Sequence, residues 1–410
     1  MAEPETCEED MTRRIFYWVG LTVTQPFNTG VQRVVRCLAA SLVKSGVDLI
    51  PVKWDPEAGR IALISRAEAD HLSNWDGPQI TMPASLPASL KGEWLLLPEI
   101  TLPVVPAGSN VAKLGASLGM HVAAIFYDLI PLYERERYPA ATLVALAEYW
   151  ETFAGIDLAL PISETVAPDI RRWLYDRNRA YPKLTVPCLL SGESLSTERE
   201  THAASFPSDD TPFRIVAVGS CEPRKNYPRI LRALKSARQS TGRDIRLTII
   251  GRRMPVEYPG LHAEMEGLAS DLGAGVASFV AGADDQQMGA YFANAHATIF
   301  GSWIEGFGLP VLESLWRGRP CLCHNGSALA EIAPGGGALM LDMLDEDEIA
   351  HGIESLVTDA ALFDRLSAEA VSRPLSSWDD YGDDVLAALE RFELVDRMMG
   401  HDSIGYSRAS

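Results

Sequence analysis

The chain has 410 residues, 47% of them apolar and 22% charged, with a formal net charge of −19 at pH 7. This is a globular composition, and the length suits about two domains, each with its own core. The acidic balance excludes a nucleic-acid partner and broad adhesion to an anionic membrane surface; an anionic ligand would need a local positive pocket.

Taken in order, residues 1–12 are polar and acidic and read as disordered, without the basic-then-apolar order of a signal peptide. Ile15–Val19 is an apolar run that reads as a buried strand. A turn at Gln25–Gly30 follows. Val31, Val34, Val35, Leu38 and Leu42 then recur at helical spacing up to Lys44, with Gly46 as the stop. Asp48–Val52, Glu93–Leu97, His121–Tyr127 and Leu158–Ser163 read as further strands, with helices over 140–153 and 166–174. Strand and helix alternate, which predicts a parallel α/β sheet.

Residues 192–212, rich in Ser, Thr, Glu, Asp and Pro, read as an exposed linker. A second α/β series follows. Its strands are expected at Phe213–Gly219, Arg246–Gly251, Val276–Val280, Ala297–Phe300 and Pro320–Cys323, with helices over 227–239, 344–370 and 378–399. The tail after Gly400 reads as frayed. The expected architecture is two doubly wound α/β domains facing across a cleft, where ligands bind beyond the carboxyl ends of the strands.

The six cysteines, Cys7, Cys37, Cys188, Cys221, Cys321 and Cys323, are scattered, and no apolar stretch reaches the ~20 residues of a membrane span. A reducing, cytoplasmic compartment is the expectation. Cys321-Leu322-Cys323-His324 lacks zinc-knuckle spacing and a second Cys/His pair, so it reads as a buried strand end and no metal is expected.

Two strand-to-helix junctions carry the chemistry. At the first, Gly219-Ser220-Cys221-Glu222-Pro223-Arg224-Lys225-Asn226 offers a guanidinium fork and an ammonium, both suited to phosphates. Arg252 and Arg253, at the next strand end, are candidates to join them. At the second, Glu305-Gly306-Phe307-Gly308-Leu309-Pro310 leads into a helix that holds Glu313 one turn in and stops at Gly318. Glycines allow close backbone approach, and free N–H groups at a helix start attract an anion such as a diphosphate. Without the second junction, either could be a solvated charge cluster or a capped turn.

These motifs, with Tyr291-Phe292-Ala293-Asn294-Ala295 between them and Gly318-Arg319-Pro320 after them, resemble the retaining glycosyltransferases of family 4, within glycosyl transferases group 1. The resemblance covers most of residues 213–335. It extends more loosely to Thr29-Gly30-Val31-Gln32-Arg33, to Asp128-Leu129-Ile130-Pro131-Leu132 and to Trp378. It implies the GT-B fold. Residues 1–196 would form an acceptor-binding domain and 210–376 a nucleotide-sugar donor domain. Residues 377–410 would be a helix crossing back onto the first domain, plus a tail.

The resemblance also implies roles. Lys225, with Arg224, would bind the donor diphosphate. Glu305 would contact the donor sugar, and the amides of Gly306, Phe307 and Gly308, beside Leu309, would line sugar and phosphates. Glu313 would hold the ribose hydroxyls, and Gly30 would lie near phosphate and acceptor. The partners would be a nucleoside-diphosphate sugar as co-substrate and a glycan or lipid-linked acceptor at the inner membrane face, with no metal or other cofactor. The transferred sugar would be a hexose or deoxyhexose of mannosyl type.

Two positions depart from the family. Ser220 follows Gly219 where many members have Arg, and Tyr127 precedes Asp128 where many have His. Asp128 is therefore the candidate polar catalytic residue, beside Glu305 and Lys225. Arg33 is open between a phosphate or acidic acceptor and a surface ion pair. Because of these departures, a catalytically silent binding or scaffold protein stays an alternative, as does a sugar-nucleotide epimerase. An NAD-type oxidoreductase is disfavoured, because no Gly-x-Gly-x-x-Gly follows the first strand.

Overall fold

The computed structural model describes residues 13–101, 110–194 and 197–405. The acidic stretch 1–12 with Cys7, residues 195–196 of the linker and the tail from 406 lie outside them.

The first sheet contains β1 (Arg14–Trp18), β2 (Asp48–Asp55), β3 (Arg60–Leu63), β4 (Trp94–Leu97), β5 (His121–Phe126), β6 (Leu158–Pro161) and β7 (Leu184–Thr185). Their order is β3-β2-β1-β4-β5-β6-β7. Every pairing is parallel except β2 with β3. The apolar runs that predicted strands are those buried on both faces, as in Phe16, Leu95 and Ile125. The edge strand β3 escaped the sequence reading. It is made by a short hairpin in which Asp55 Oδ1 accepts from the N–H groups of Glu57 and Ala58, each at 3.0 Å.

The second sheet contains β8 (Phe213–Val218), β9 (Ile245–Ile250), β10 (Ala277–Val280), β11 (Ala297–Phe300), β12 (Cys321–His324) and β13 (Ala338–Leu341). It is wholly parallel in the order β10-β9-β8-β11-β12-β13. In both sheets the first strand sits centrally, so the winding direction reverses beside β1 and beside β8. Crevices at such reversals are the natural ligand sites of open parallel sheets. The loop after β8 carries Arg224 and Lys225, and the loop after its neighbour β11 carries Glu305. The switch point therefore brings the two sequence motifs together.

Three expectations need correction. The helix expected over 344–370 is two, Glu346–Thr358 and Ala360–Ser372, because Asp359 Oδ1 accepts from Leu362 N–H at 3.0 Å and starts a new helix. The last helix runs from Trp378 to Gly405, past its expected end at 399. Most of the linker is pinned to the second domain: Glu200 N–H donates to Trp316 O at 3.0 Å, and the Phe206 ring lies 5.6 Å from Phe363. A polar composition hid these anchors.

The helix Trp378–Gly405 packs on the helix Gly30–Lys44. Its Trp378, Tyr381, Val385, Leu389 and Phe392 are buried in the first domain's core. Each such large side chain contributes about 1.5–3 kcal/mol on burial. Trp94 Nε1 also donates to Glu393 Oε1 at 2.7 Å. Among the described residues no helix is long and apolar enough to cross a membrane. The five described cysteines are buried thiols, with Cys321 and Cys323 inside β12.

Candidate active site

The centre of the site is a buried ion cluster. After β8 the chain makes a short turn, Pro223–Lys225, closed by Asn226 in the left-handed region at φ 61° before the helix Tyr227–Thr241 begins. That turn aims Arg224 and Lys225 at the loop after β11. Lys225 Nζ donates to Glu305 Oε1 at 2.6 Å, and Arg224 pairs with the same oxygen. Arg224 also meets Glu222 Oε1 at 3.2 Å. Lys225 is almost fully buried, with its ammonium 4.4 Å from the centre of the Phe300 ring, a cation–π contact.

The electrostatics follow from this geometry. Burial disfavours the charged form of Glu305, but Arg224 and then Lys225 outweigh it and hold the carboxyl down at about 2. Burial, then Arg224, lowers Lys225. Two cations face two carboxylates, Glu305 and Glu222, so the cluster is balanced without a ligand. An anion would draw on Arg224 and Lys225 by taking the place of these carboxylates.

The glycines serve close approach. Gly308 is at φ +119°, and a Cβ there would lie 2.3 Å from Leu329 Cδ2. A Cβ on Gly306 would lie 2.8 Å from Tyr127 O and 3.0 Å from Asp128 Oδ2, both in the first domain. Gly306 O accepts from Ser163 Oγ at 2.8 Å. Phe307 turns its ring into the core. Two helix starts face each other across the cleft: Gly30 begins the helix Gly30–Lys44, and a Cβ there would lie 3.8 Å from Leu309 Cδ1 at the start of the helix Leu309–Trp316. Gly219 is anchored by Tyr227, whose hydroxyl donates to its carbonyl at 2.8 Å, and Ser220 sits half-buried at the loop tip.

Asp128 follows β5 and lines a recess of about 200 Å³ with Tyr138, Trp150 and Arg224. Its Oδ1 accepts from Ile130 N–H at 2.9 Å, and Trp150 Nε1 donates to its carbonyl at 3.1 Å. Burial raises its carboxyl to about 6, against the lowering effects of the Ile130 N–H and Arg224. Tyr127 also lines the recess, but its hydroxyl is engaged elsewhere. It is buried and donates to Pro98 O at 2.6 Å, so it does not present a polar group to a ligand.

Arg33 and Glu313 form an ion pair across the domains. The surface-pair reading of Arg33 is thus corrected in its location: the partner lies on the opposite domain. The suggestion that Arg253 joins Arg224 is also corrected, since Arg253 pairs with Glu266 at 2.5 Å and stacks on Phe279. Arg252 is exposed.

Sequence reasoning passed over three supports. Glu99, fully buried after β4, accepts from Leu21 N–H, Thr22 N–H and Thr22 Oγ1 at 2.6–2.7 Å and holds the loop after β1. Glu331 accepts from Glu164 N–H and Thr165 N–H at 3.0 and 2.9 Å across the cleft. Ser327 Oγ accepts from Glu305 N–H at 3.3 Å. Lone acids and serines carry no periodic signal. Among the described residues no group of three or more His, Cys, Asp or Glu is placed to hold a metal ion.

Two parallel doubly wound sheets facing across a cleft, with the cation cluster at the switch point, define the GT-B architecture. Residues 198–373 match the model of the glycosyl transferases group 1, and the second domain is a domain of that family. The serotype-specific mannosyltransferase WbdA of Escherichia coli is 23% identical over 352 residues, 78% of this chain and 39% of that protein. The O-antigen chain mannosyltransferase B of Escherichia coli is 30% identical over 146 residues, 35% of this chain and 36% of that protein. The chain thus spans about two fifths of the length of these relatives. Among solved structures, the sucrose-phosphate synthase of Thermosynechococcus elongatus shares the fold at a TM-score of 0.60 with 16% identity, covering 95% of this chain and 100% of that one. Anabaena HepE, in complex with UDP and glucose, does so at 0.58 with 11% identity, covering 94% and 100%.

Proposed function

We propose that this chain is a retaining glycosyltransferase of family 4. It moves a hexosyl group, of mannose type, from a nucleoside-diphosphate sugar to a glycan or lipid-linked acceptor in the assembly of a surface polysaccharide. A lipid-linked acceptor would place it at the inner membrane face. The observation that carries this reading is the Glu305 carboxylate held between Arg224 and Lys225 at the switch point, opposite Asp128. The mannosyltransferase relatives support the choice of sugar.

In this reading the donor diphosphate enters between the helix starts at Gly30 and Leu309 and takes Lys225 and Arg224 as its counter-ions. Glu305 is then released toward the sugar hydroxyls and Glu313 toward the ribose. As the glycosidic bond breaks, negative charge gathers on the leaving diphosphate, and the fixed cations and helix N-termini stabilise it in a water-poor cleft. The sugar passes through an oxocarbenium-like state. A double displacement would need a carboxylate beneath the sugar, and this reading assigns none there. A same-face substitution fits better: the acceptor oxygen bonds to the anomeric carbon, the bond to the diphosphate oxygen breaks, and the acceptor proton leaves on the diphosphate. Asp128 steers the acceptor hydroxyl. No metal takes part.

A thermal-shift screen against nucleoside-diphosphate sugars tests the donor half of the reading. Ligands that bind the native state raise the apparent Tm. A rise with at least one such sugar, absent in Lys225→Ala, is expected; no rise across UDP-, GDP-, ADP- and dTDP-linked sugars contradicts it.

A further inference from the structure

Outside the ion cluster lies a second cleft of about 510 Å³, which takes its walls from both domains. That size falls within the ~300–1,000 Å³ usual for ligand pockets. Glu134 and Arg137 of the first domain form one wall. Trp303, Arg229, Arg232 and Leu261 of the second form the other. A filled neck, with no room for a water, separates it from the Asp128 recess: Arg137 and Pro223 line both cleft and neck, and Tyr138 and Arg224 line both neck and recess. Tyr258 bridges the domains at this neck, its hydroxyl donating to Arg137 O at 3.3 Å.

The lining states what chemistry fits. Its three arginines stand against three carboxylates, Glu134, Glu264 and Glu346, although Arg229 itself bonds only neutral acceptors. Arg137 pairs with Glu134 at 2.5 Å, and Arg232 with Glu264 and Glu346 at 2.7 and 2.8 Å. Arg229 donates to Asn226 Oδ1 at 3.2 Å and to Met343 O at 3.4 Å. No positive excess is left for a phosphate, and so many charged groups would be stripped of water by a lipid chain. Paired guanidinium and carboxylate edges present donors and acceptors side by side, which suits hydroxyl groups that do both. Trp303 supplies a flat apolar face on this polar ground. Its Nε1–H points at Glu134 Oε1, 3.5 Å away, and the Arg137 guanidinium lies 5.4 Å from its ring centre.

We propose that this outer cleft is a subsite for a neutral glycan, holding the sugar units of the acceptor that precede the reacting one at Asp128. The chain runs from the recess, over the neck, onto Trp303. The inference rests on the transferase reading and deepens it: the enzyme measures acceptor length.

The test is the ratio of kcat/KM for an α-linked mannotetraose to that for methyl α-mannoside, with the donor found by the thermal-shift screen. The wild-type chain should favour the longer acceptor by about tenfold, the scale of one buried aromatic anchor. Trp303→Ala removes the platform, and Leu261→Trp fills the cleft without touching the loop of Glu305. Both should bring the ratio close to one. A wild-type chain with no preference, or a preference intact in both variants, overturns the subsite while the transferase reading stands. No transfer to either acceptor or to a wider acceptor panel overturns both. A preference that appears only for phosphorylated acceptors overturns the neutral-glycan assignment.

Discussion

Arg33, in the first helix of the first domain, is ion-paired with Glu313, in the helix that follows β11 of the second. The pair joins residues of opposite domains directly across the cleft. If Glu313 receives ribose hydroxyls, Arg33 has to let go of it when the nucleotide binds. The pair is then a competitor of the donor as well as a clasp.

Arg33→Ala should therefore tighten nucleoside-diphosphate binding by a few-fold, equivalent to the ~1 kcal/mol of a partly exposed ion pair. Titration calorimetry with the nucleoside diphosphate alone measures it. Weaker binding in the variant would instead give Arg33 a direct place on the diphosphate.

Glu305→Gln separates binding from chemistry. It leaves Arg224 and Lys225 without their shared carboxylate, so the unliganded protein should lose on the order of 3 kcal/mol, read as a lower denaturation midpoint. Lys225 is then free for an anion, and Arg224 keeps only Glu222. Free nucleoside diphosphate should bind at least as tightly as to wild type, while transfer falls by ~10²–10³-fold. Weaker nucleotide binding together with full transfer would remove Glu305 from the sugar site.

The pH profile should report Asp128. Its carboxyl is raised to about 6 by burial, and the charged form is the one that accepts a hydrogen bond from an acceptor hydroxyl. The rate should accordingly fall as pH drops through about 6. Glu305, held near 2, stays ionised across this range and adds no limb of its own. Asp128→Asn should lower the rate and abolish the acidic limb. A limb unchanged in Asp128→Asn would assign it to another group.

Two glycine substitutions should part company. Gly308→Ala places a methyl group 2.3 Å from Leu329 Cδ2 at a positive φ and should destabilise the second domain by ~1–3 kcal/mol. At Gly306 the added methyl meets the first domain, at Tyr127 O and Asp128 Oδ2. Gly306→Ala should keep each domain folded but hold the cleft open. Differential scanning calorimetry and small-angle scattering read the two outcomes; an unchanged closed form in Gly306→Ala would contradict the contact's role.

Much of this site is readable in the sequence because glycine and proline punctuate strand-to-helix junctions. Gly219, Pro223, Gly308 and Pro310 mark both loops, and apolar runs mark β8 and β11 beside them. The meeting of Glu305 with Lys225 comes from strand order, which local pattern does not encode. The contacts across the cleft, Ser163 to Gly306, Glu331 to Thr165 and Arg33 to Glu313, join residues more than 140 positions apart and leave no spacing to detect. Tyr127 shows the reverse case. Its position next to Asp128 makes it look like a site residue, yet its hydroxyl is spent on Pro98 O inside the core.

The measurement that bears most directly on the whole account is ¹H NMR of the anomeric protons during turnover. The wild-type chain would be incubated with the donor found by thermal shift, a mannose-terminated acceptor and EDTA. The donor's anomeric signal should be replaced by that of a new glycoside of the same configuration, with one nucleoside diphosphate released per bond and no loss of rate on chelation. A product of inverted configuration, or a reaction stopped by EDTA, would contradict it.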